Sequence, residues 1–133
     1  MKIIIAGDGK VGATLTRQLT SEGYDVTIID SKASPLESSV ERYDVISVQG
    51  NCASMDVLRQ AGVKDADLLI AATGADEVNL LCCTTAHAMN QKLHTIARVR
   101  SPEYRRDADM LKKEIGLDMV INPDLAAAQE IAR

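Results

Sequence analysis

Aromatic side chains are nearly missing from this chain: its 133 residues include three tyrosines and no tryptophan or phenylalanine. Proteins that grip single-stranded nucleic acid stack bases on aromatic rings inside a basic groove. A chain with 2% aromatics and a formal charge of -4 supplies neither. Long apolar runs are missing too, since none approaches the roughly 20 residues that cross a bilayer. The opening Met-Lys-Ile-Ile-Ile-Ala run is short and passes straight into a glycine loop, so no signal peptide is expected. These absences point to a cytoplasmic protein that neither inserts into membrane nor binds nucleic acid. Cysteine is scarce and odd in number: Cys52, Cys82 and Cys83 suit a reducing compartment and suggest no disulfide framework. Cys83 and His87 have a spacing that puts two metal ligands on one helix face. No other ligand pair supports them, so small apolar packing is expected for Cys82 and Cys83, with no metal site. There is no low-complexity tract, internal repeat or long linker, and 46% apolar with 26% charged residues fits one soluble globular domain.

What is present is concentrated in the first thirty residues. An apolar run from Lys2 to Ala6 meets Gly7-Asp8-Gly9-Lys10-Val11-Gly12, and a second apolar run, Val26 to Ile29, ends at Asp30. This is a dinucleotide-binding fingerprint: Gly7 permits the strand-to-helix turn, Gly9 lets a pyrophosphate approach the backbone, and Gly12 lets the helix pack close to the strand. Unpaired amides at the helix start face the phosphates, where the helix dipole favours anions. Asp30 follows Gly12 by 18 residues and is placed to accept hydrogen bonds from ribose hydroxyls. A 2′-phosphate would be repelled there, although Lys32 softens the repulsion, so NAD is expected to be preferred over NADP. Val11, Leu15 and Leu19 on one face mark the segment after the loop as an amphipathic helix.

Short apolar runs alternate with helical segments along the rest of the chain, the pattern of a Rossmann-like, doubly wound parallel α/β sheet in a single domain. Six strands are expected near residues 2–6, 25–29, 45–48, 68–72, 94–99 and 119–121, in the order 3-2-1-4-5-6. Ser34-Pro35-Leu36-Glu37 reads as a serine N-cap with a first-turn proline and a capping-box glutamate, and Ser101-Pro102 and Asn122-Pro123 repeat the cap-plus-proline device. Gly62 and Gly116 stand where helices should stop. A helix beginning near Asp76, its expected N-cap, is apolar on most faces through Val78, Leu80, Leu81, Cys82, Cys83, Ala86, Ala88 and Met89, which predicts a partner subunit packed against it. A last helix, from about residue 123, is still continuing at Arg133, so further sequence is expected to follow.

In such a sheet the ligand lies across the carboxyl ends of the strands. After the third strand, Asn51 either hydrogen-bonds the adenine or its ribose or simply makes a polar turn. After the fourth, Thr73 and Gly74 approach the phosphates or the second half of a dinucleotide. Arg98 and Arg100, sharing one parity in the fifth strand, reach toward phosphate or an acidic partner, as does Lys10. Arg105 and Arg106, nearby in sequence, read as a solvated loop. Only two histidines occur, and His94 is expected to cap or face solvent. No Ser/His/Asp arrangement, metal cluster or lysine-centred site stands out. An oxidoreductase needs a second region that holds substrate over the cofactor, so these residues predict a sensor and not a catalyst.

Several runs then resemble one family: Met1 to Asp30, Val48-Gln49-Gly50-Asn51-Cys52-Ala53, Val57 to Gly62, Asp65-Ala66-Asp67, Thr73 to Asn79, and Ile96-Ala97-Arg98-Val99-Arg100-Ser101-Pro102-Glu103-Tyr104. They are similar, end to end, to the RCK-N or KTN nucleotide-binding domains of TrkA type from bacterial potassium uptake systems. The resemblance implies a peripheral cytoplasmic regulatory subunit, at the inner face of the membrane, that binds NAD(H), ATP or ADP. It would pass ligand state to a membrane-embedded potassium transporter without turnover. It implies a homodimer, and higher rings in full-length members, which carry a second domain absent from residues 1–133. The residues expected at the ligand are Gly7, Asp8, Gly9, Lys10, Val11, Gly12, Asp30, Ser31, Asn51, Cys52, Thr73, Gly74 and Arg98, with Asp76 a further possibility by analogy. Two other readings share the fingerprint: the cofactor domain of an NAD-dependent dehydrogenase, and the regulatory domain of a glutathione-gated potassium efflux system.

Overall fold

The structure is a computed structural model, and it describes residues 1–132. The last position of the expected C-terminal helix, Arg133, lies outside the described residues. Six strands form one parallel sheet: β1 (Lys2–Ala6), β2 (Asp25–Asp30), β3 (Ile46–Gln49), β4 (Leu68–Ala71), β5 (His94–Arg98) and β6 (Leu117–Val120). Their order is β3-β2-β1-β4-β5-β6, as the alternation predicted. The helices are α1 (Lys10–Ser21), α2 (Ala33–Arg42), α3 (Met55–Gln60), α4 (Asp76–Met89), α5 (Pro102–Arg106), α6 (Ala108–Ile115) and α7 (Leu125–Ala132). A 3-10 turn, Val63–Asp65, precedes β4. No helix among the described residues is long and apolar enough to cross a membrane.

The central strands β1 and β4 are apolar on both faces because both faces are covered. Successive side chains alternate between two cores. Ile3, Ile5, Leu68 and Ile70 pack with Leu15 and Leu19 of α1, Leu36 of α2 and Ala128 of α7. Ile4, Ala6, Leu69 and Ala71 pack with Leu58 of α3 and Cys82, Cys83 and Ala86 of α4. Burying each isoleucine or leucine contributes about 1.5–3 kcal/mol, so the central strands β1 and β4 anchor the domain.

Register brings the ends of β1 and β4 together, Ala6 beside Ala71. The chain leaves β1 into α1 on one side of the sheet and leaves β4 into α4 on the other. The two exits diverge and open a cleft at the carboxyl edge, the switch point of a doubly wound sheet. The geometry requires glycine twice. Gly7 has φ 100°, and a β-carbon there would lie 3.0 Å from the Thr73 amide nitrogen. At Gly12 a β-carbon would lie 1.8 Å from the Gly7 carbonyl oxygen.

Several expectations need correction at their ends. β3 and β6 sit at 46–49 and 117–120 instead of 45–48 and 119–121, β4 and β5 stop at 71 and 98, and β2 extends to Asp30. Ser34 is not an N-cap: the Lys32 amide donates to Asp30 Oδ1 at 2.9 Å, the turn tightens earlier, and α2 starts at Ala33 with Lys32 as its cap residue. Pro35 still fits, because amides of a first turn have no intrahelical partner. Asn122-Pro123 does not start α7; Asp124 does, its Oδ1 accepting the Ala127 amide at 2.8 Å. Asp76 is the first residue of α4, behind an Ala75 cap, and its carboxylate turns outward to the chain after β5. Ser101-Pro102 does open α5, while Gly62 after α3 and Gly116 after α6 adopt the left-handed conformation expected of helix stops.

Gly12→Ala should destabilise the domain by about 1–3 kcal/mol, because its β-carbon meets rigid main chain and overpacking carries that cost. Urea unfolding reads this directly, and an unchanged midpoint would contradict the close approach of α1 to β1.

Candidate functional site

A cavity of about 790 Å³ opens at the switch point. Its walls come from the loops after β1, β2, β3 and β4, the first turn of α1, Val78 of α4 and the end of β5. It brings together eleven of the thirteen expected site residues: Gly7, Gly9, Lys10, Val11, Asp30, Ser31, Asn51, Cys52, Thr73, Gly74 and Arg98. Asp8 and Gly12 are not in the wall. They lie behind the loop and shape it.

The floor of the cavity is main chain. Gly9 is the cap residue of α1 in an extended conformation, and no side chain caps the helix. The amides of its first turn are therefore unsatisfied donors at the positive end of the helix dipole. A β-carbon on Gly9 would meet nothing within 4 Å. The space above that backbone is open at the position where the fingerprint places a pyrophosphate.

Asp30 faces this floor from the end of β2. Its Oδ2 accepts the Asp8 amide at 2.8 Å and its Oδ1 the Lys32 amide at 2.9 Å. The two bonds fix the carboxylate across the cavity mouth, and each oxygen keeps a second acceptor site for a hydroxyl. Asp8 is 4% exposed and accepts the Ser39 hydroxyl on Oδ2 at 2.7 Å, while its Oδ1 is buried without a protein partner. Burial pushes its carboxyl above the usual aspartate value, against the lowering effect of Ser39 and with some help from the nearby Asp30 charge.

On the far wall, Asn51 does make the polar turn, its Oδ1 accepting the Ala53 amide at 2.9 Å, and it also lines the cavity. Cys52 sits beside it, nearly buried, with its thiol lowered chiefly by a hydrogen bond with the Cys82 thiol. Burial pushes Cys83 up; its Sγ lies 3.5 Å from the Ile96 carbonyl, and His87 Nδ1 is 3.4 Å from that of Leu93. Both members of the metal-spaced pair thus turn toward β5. Arg98 closes the cavity from the end of β5, its Nε buried without a protein partner. Arg100 does not share this strand or this wall: β5 has ended, and its guanidinium donates to the Gly74 carbonyl at 3.0 Å. His94 stands exposed at the opposite end of β5, and no histidine is among the residues lining the cavity.

Ile29, Lys32, Pro35, Gly50, Ala72, Ala75 and Val78 complete the wall, and of these only Lys32 carries a polar side chain that could mark it in sequence. The larger omission is Asn79, fully buried on α4 and bonded to both Thr73 and Arg98. Its signal was the one amide side chain on a helix that is apolar on most faces.

The model of the TrkA-N domain family matches residues 3–123. The Trk system potassium uptake protein TrkA of Haemophilus influenzae is 41% identical over the whole chain, which spans 30% of that protein's length. Among solved structures, the Kef C-terminal domain of Shewanella denitrificans in AMP-bound form superposes with a TM-score of 0.72 at 27% identity, covering 98% of this chain and 76% of that one. The GsuK channel bound to NAD shares the fold, with a TM-score of 0.73 at 24% identity over 90% of this chain and 21% of that one.

The raised Asp8 carboxyl has a consequence for stability with a definite sign. The native state holds this proton more tightly than the unfolded chain, so the stability it contributes is complete below pH 3.8 and is lost as pH rises through the native value. Melting temperatures of Asp8→Asn and the parent, compared between pH 4 and pH 8, should therefore move in favour of the variant as pH rises. A constant difference across that range would contradict this assignment.

Proposed function

This chain belongs to the TrkA-N family, and from that premise we propose that it is the nucleotide-sensing module of a bacterial potassium transport system. In this reading it binds NAD(H) or ATP/ADP and acts on a membrane-embedded transporter subunit from the cytoplasmic face. The observation that carries it is the open main-chain floor at Gly9, facing the fixed Asp30 carboxylate across one cavity. The diphosphate sits on the unpaired amides of α1, with Lys10 and Arg98 supplying charge. The ribose hydroxyls donate to Asp30, and Asn51 and Cys52 flank the adenosine half. The AMP held by a related Kef domain supports an adenine ligand in this fold.

The role is binding, without chemistry. Hydride transfer needs a positioned group to move a proton to or from the substrate; in the cavity wall Asp30 is already tied to two amides, the Cys52 thiol is bonded to Cys82, and Lys10 serves the phosphates in this reading. Regulation then comes from differential affinity. Ligands that share adenosine but differ in charge near Arg98 and α4 favour different arrangements of the subunits, and only that difference can bias a transporter. The subunit boundary in this account is the outer face of α4, where Leu81 is 57% exposed next to the cavity-lining Val78. A homodimer forms there, and rings form in longer proteins that carry the second domain.

Calorimetric titration of the purified domain with ADP, ATP, NADH and NADPH tests the ligand assignment. Binding of the first three with weaker binding of NADPH is expected, and Gly9→Val should weaken them at least tenfold while costing no more than about 1 kcal/mol of stability as a poorer cap. A parent protein that takes up no adenine nucleotide, NADPH binding as tight as NADH, or a Gly9→Val protein that binds like the parent would each contradict it. For the subunit boundary, Leu81→Asp should convert a dimer to monomers in light scattering, and an unchanged oligomer would remove α4 from the interface.

A further inference from the structure

We infer that Asn79 is the positioning residue for the phosphate-facing half of the cavity, the side chain that makes Thr73 and Arg98 one rigid wall. The inference rests on the nucleotide reading above and goes beyond it to a residue that does not line the cavity at all. Asn79 projects from the first turns of α4 and is fully buried. Its Oδ1 accepts the Thr73 amide at 2.9 Å and the Thr73 hydroxyl at 2.6 Å. Its Nδ2 donates to the Thr73 carbonyl at 3.1 Å and the Arg98 carbonyl at 2.9 Å. All four hydrogen-bonding sites of the carboxamide are used, two acceptor and two donor. An aspartate lacks the donors, and a serine lacks one donor and the reach.

The consequence is local. Thr73 follows β4 and Arg98 ends β5; apart from Asn79 the two segments are joined by the end of the ladder, Ala71 beside Ala97, and by the exposed bond from the Arg100 guanidinium to the Gly74 carbonyl. The chain beyond Arg98 is pinned to the same helix: the Asp76 carboxylate accepts the Arg100 amide at 3.1 Å and the Ser101 amide at 2.7 Å. Arg98 is therefore held by α4 through its own carbonyl and through the backbone just beyond it, while its side chain lines the cavity with a buried Nε that has no protein acceptor. A donor held in place and left unpaired is preorganised for an anion, and its fit depends on the support behind it. The ribose end has separate support, because Asp30 and the glycine loop are braced to each other and to β1 and β2.

Loss of Asn79 should consequently damage recognition of phosphate and spare recognition of adenosine. The test compares adenosine with ADP on the purified domain, by NMR titration that also follows the Arg98 Nε–H signal. In Asn79→Ala, ADP affinity should fall at least tenfold and adenosine affinity change less than twofold. The Arg98 Nε–H should shift on ADP addition in the parent and fail to do so in the variant. If Asn79→Ala does not fold, Thr73→Val, which removes only the hydroxyl held by Oδ1, carries the same selective loss, with Thr73→Ser restoring parent behaviour. Equal loss of adenosine and ADP would mean general loosening and overturn the inference, as would parent-like ADP binding in a folded variant. A parent domain that binds neither ligand would instead remove the nucleotide reading on which the inference stands.

Discussion

Gly12 carries no β-carbon at a point where one would lie 1.8 Å from the Gly7 carbonyl oxygen, and the geometry of the carboxyl edge follows from that close contact. Because α1 can press against the loop it leaves, its first turn starts immediately beside the end of β1. The unpaired amides of that turn are delivered to the switch point with the dipole behind them. A helix set back by the width of a methyl group would point the same donors away from the cavity. Gly7, with its positive φ and its contact with Thr73, does the matching work between the exits of β1 and β4.

Around this contact the side chains divide into two independently braced halves. Asp30 joins the glycine loop to the start of α2 through two amides, and Asp8, buried beneath the loop, is tied to Ser39 of α2. Across the cavity, Asn79 and Asp76 use the first turns of α4 to hold the exits of β4 and β5. The first half carries the ribose acceptor and the main-chain floor for the diphosphate, and the second brings Thr73 and Arg98 to the anion from the opposite wall. In the proposed reading the candidate ligands share the adenosine that Asp30 addresses and differ in the groups that extend toward the second half. That second wall stands on α4, which also exposes Leu81 on its outer face.

The sheet order and the cavity wall were legible because their signals are local and redundant. Gly7 and Gly12 are forced by backbone geometry, the central strands are apolar runs buried on both faces, and Asp30 stands at the end of β2. The errors fall where a short-range preference met a tertiary contact. Ser34 and Asn122 have good cap chemistry, but Asp30 tightened the turn before α2 and Asp124 competed successfully at α7. Asp76 looked like a cap and instead serves the chain after β5, because Arg100 and Ser101 present two amides to it. Asn79 could not be placed from sequence at all: its partners are 6 and 19 residues away and meet only once β4 and β5 are paired.

The central claim is that the diphosphate of an adenine nucleotide rests on the main chain of the first turn of α1 while Asp30 holds its ribose. A crystal structure of the domain with ADP measures this most directly. The account predicts phosphate oxygens within hydrogen-bonding distance of the amides that follow Gly9 and both ribose hydroxyls on the Asp30 carboxylate. A nucleotide lodged elsewhere, or phosphates turned away from α1, would contradict it.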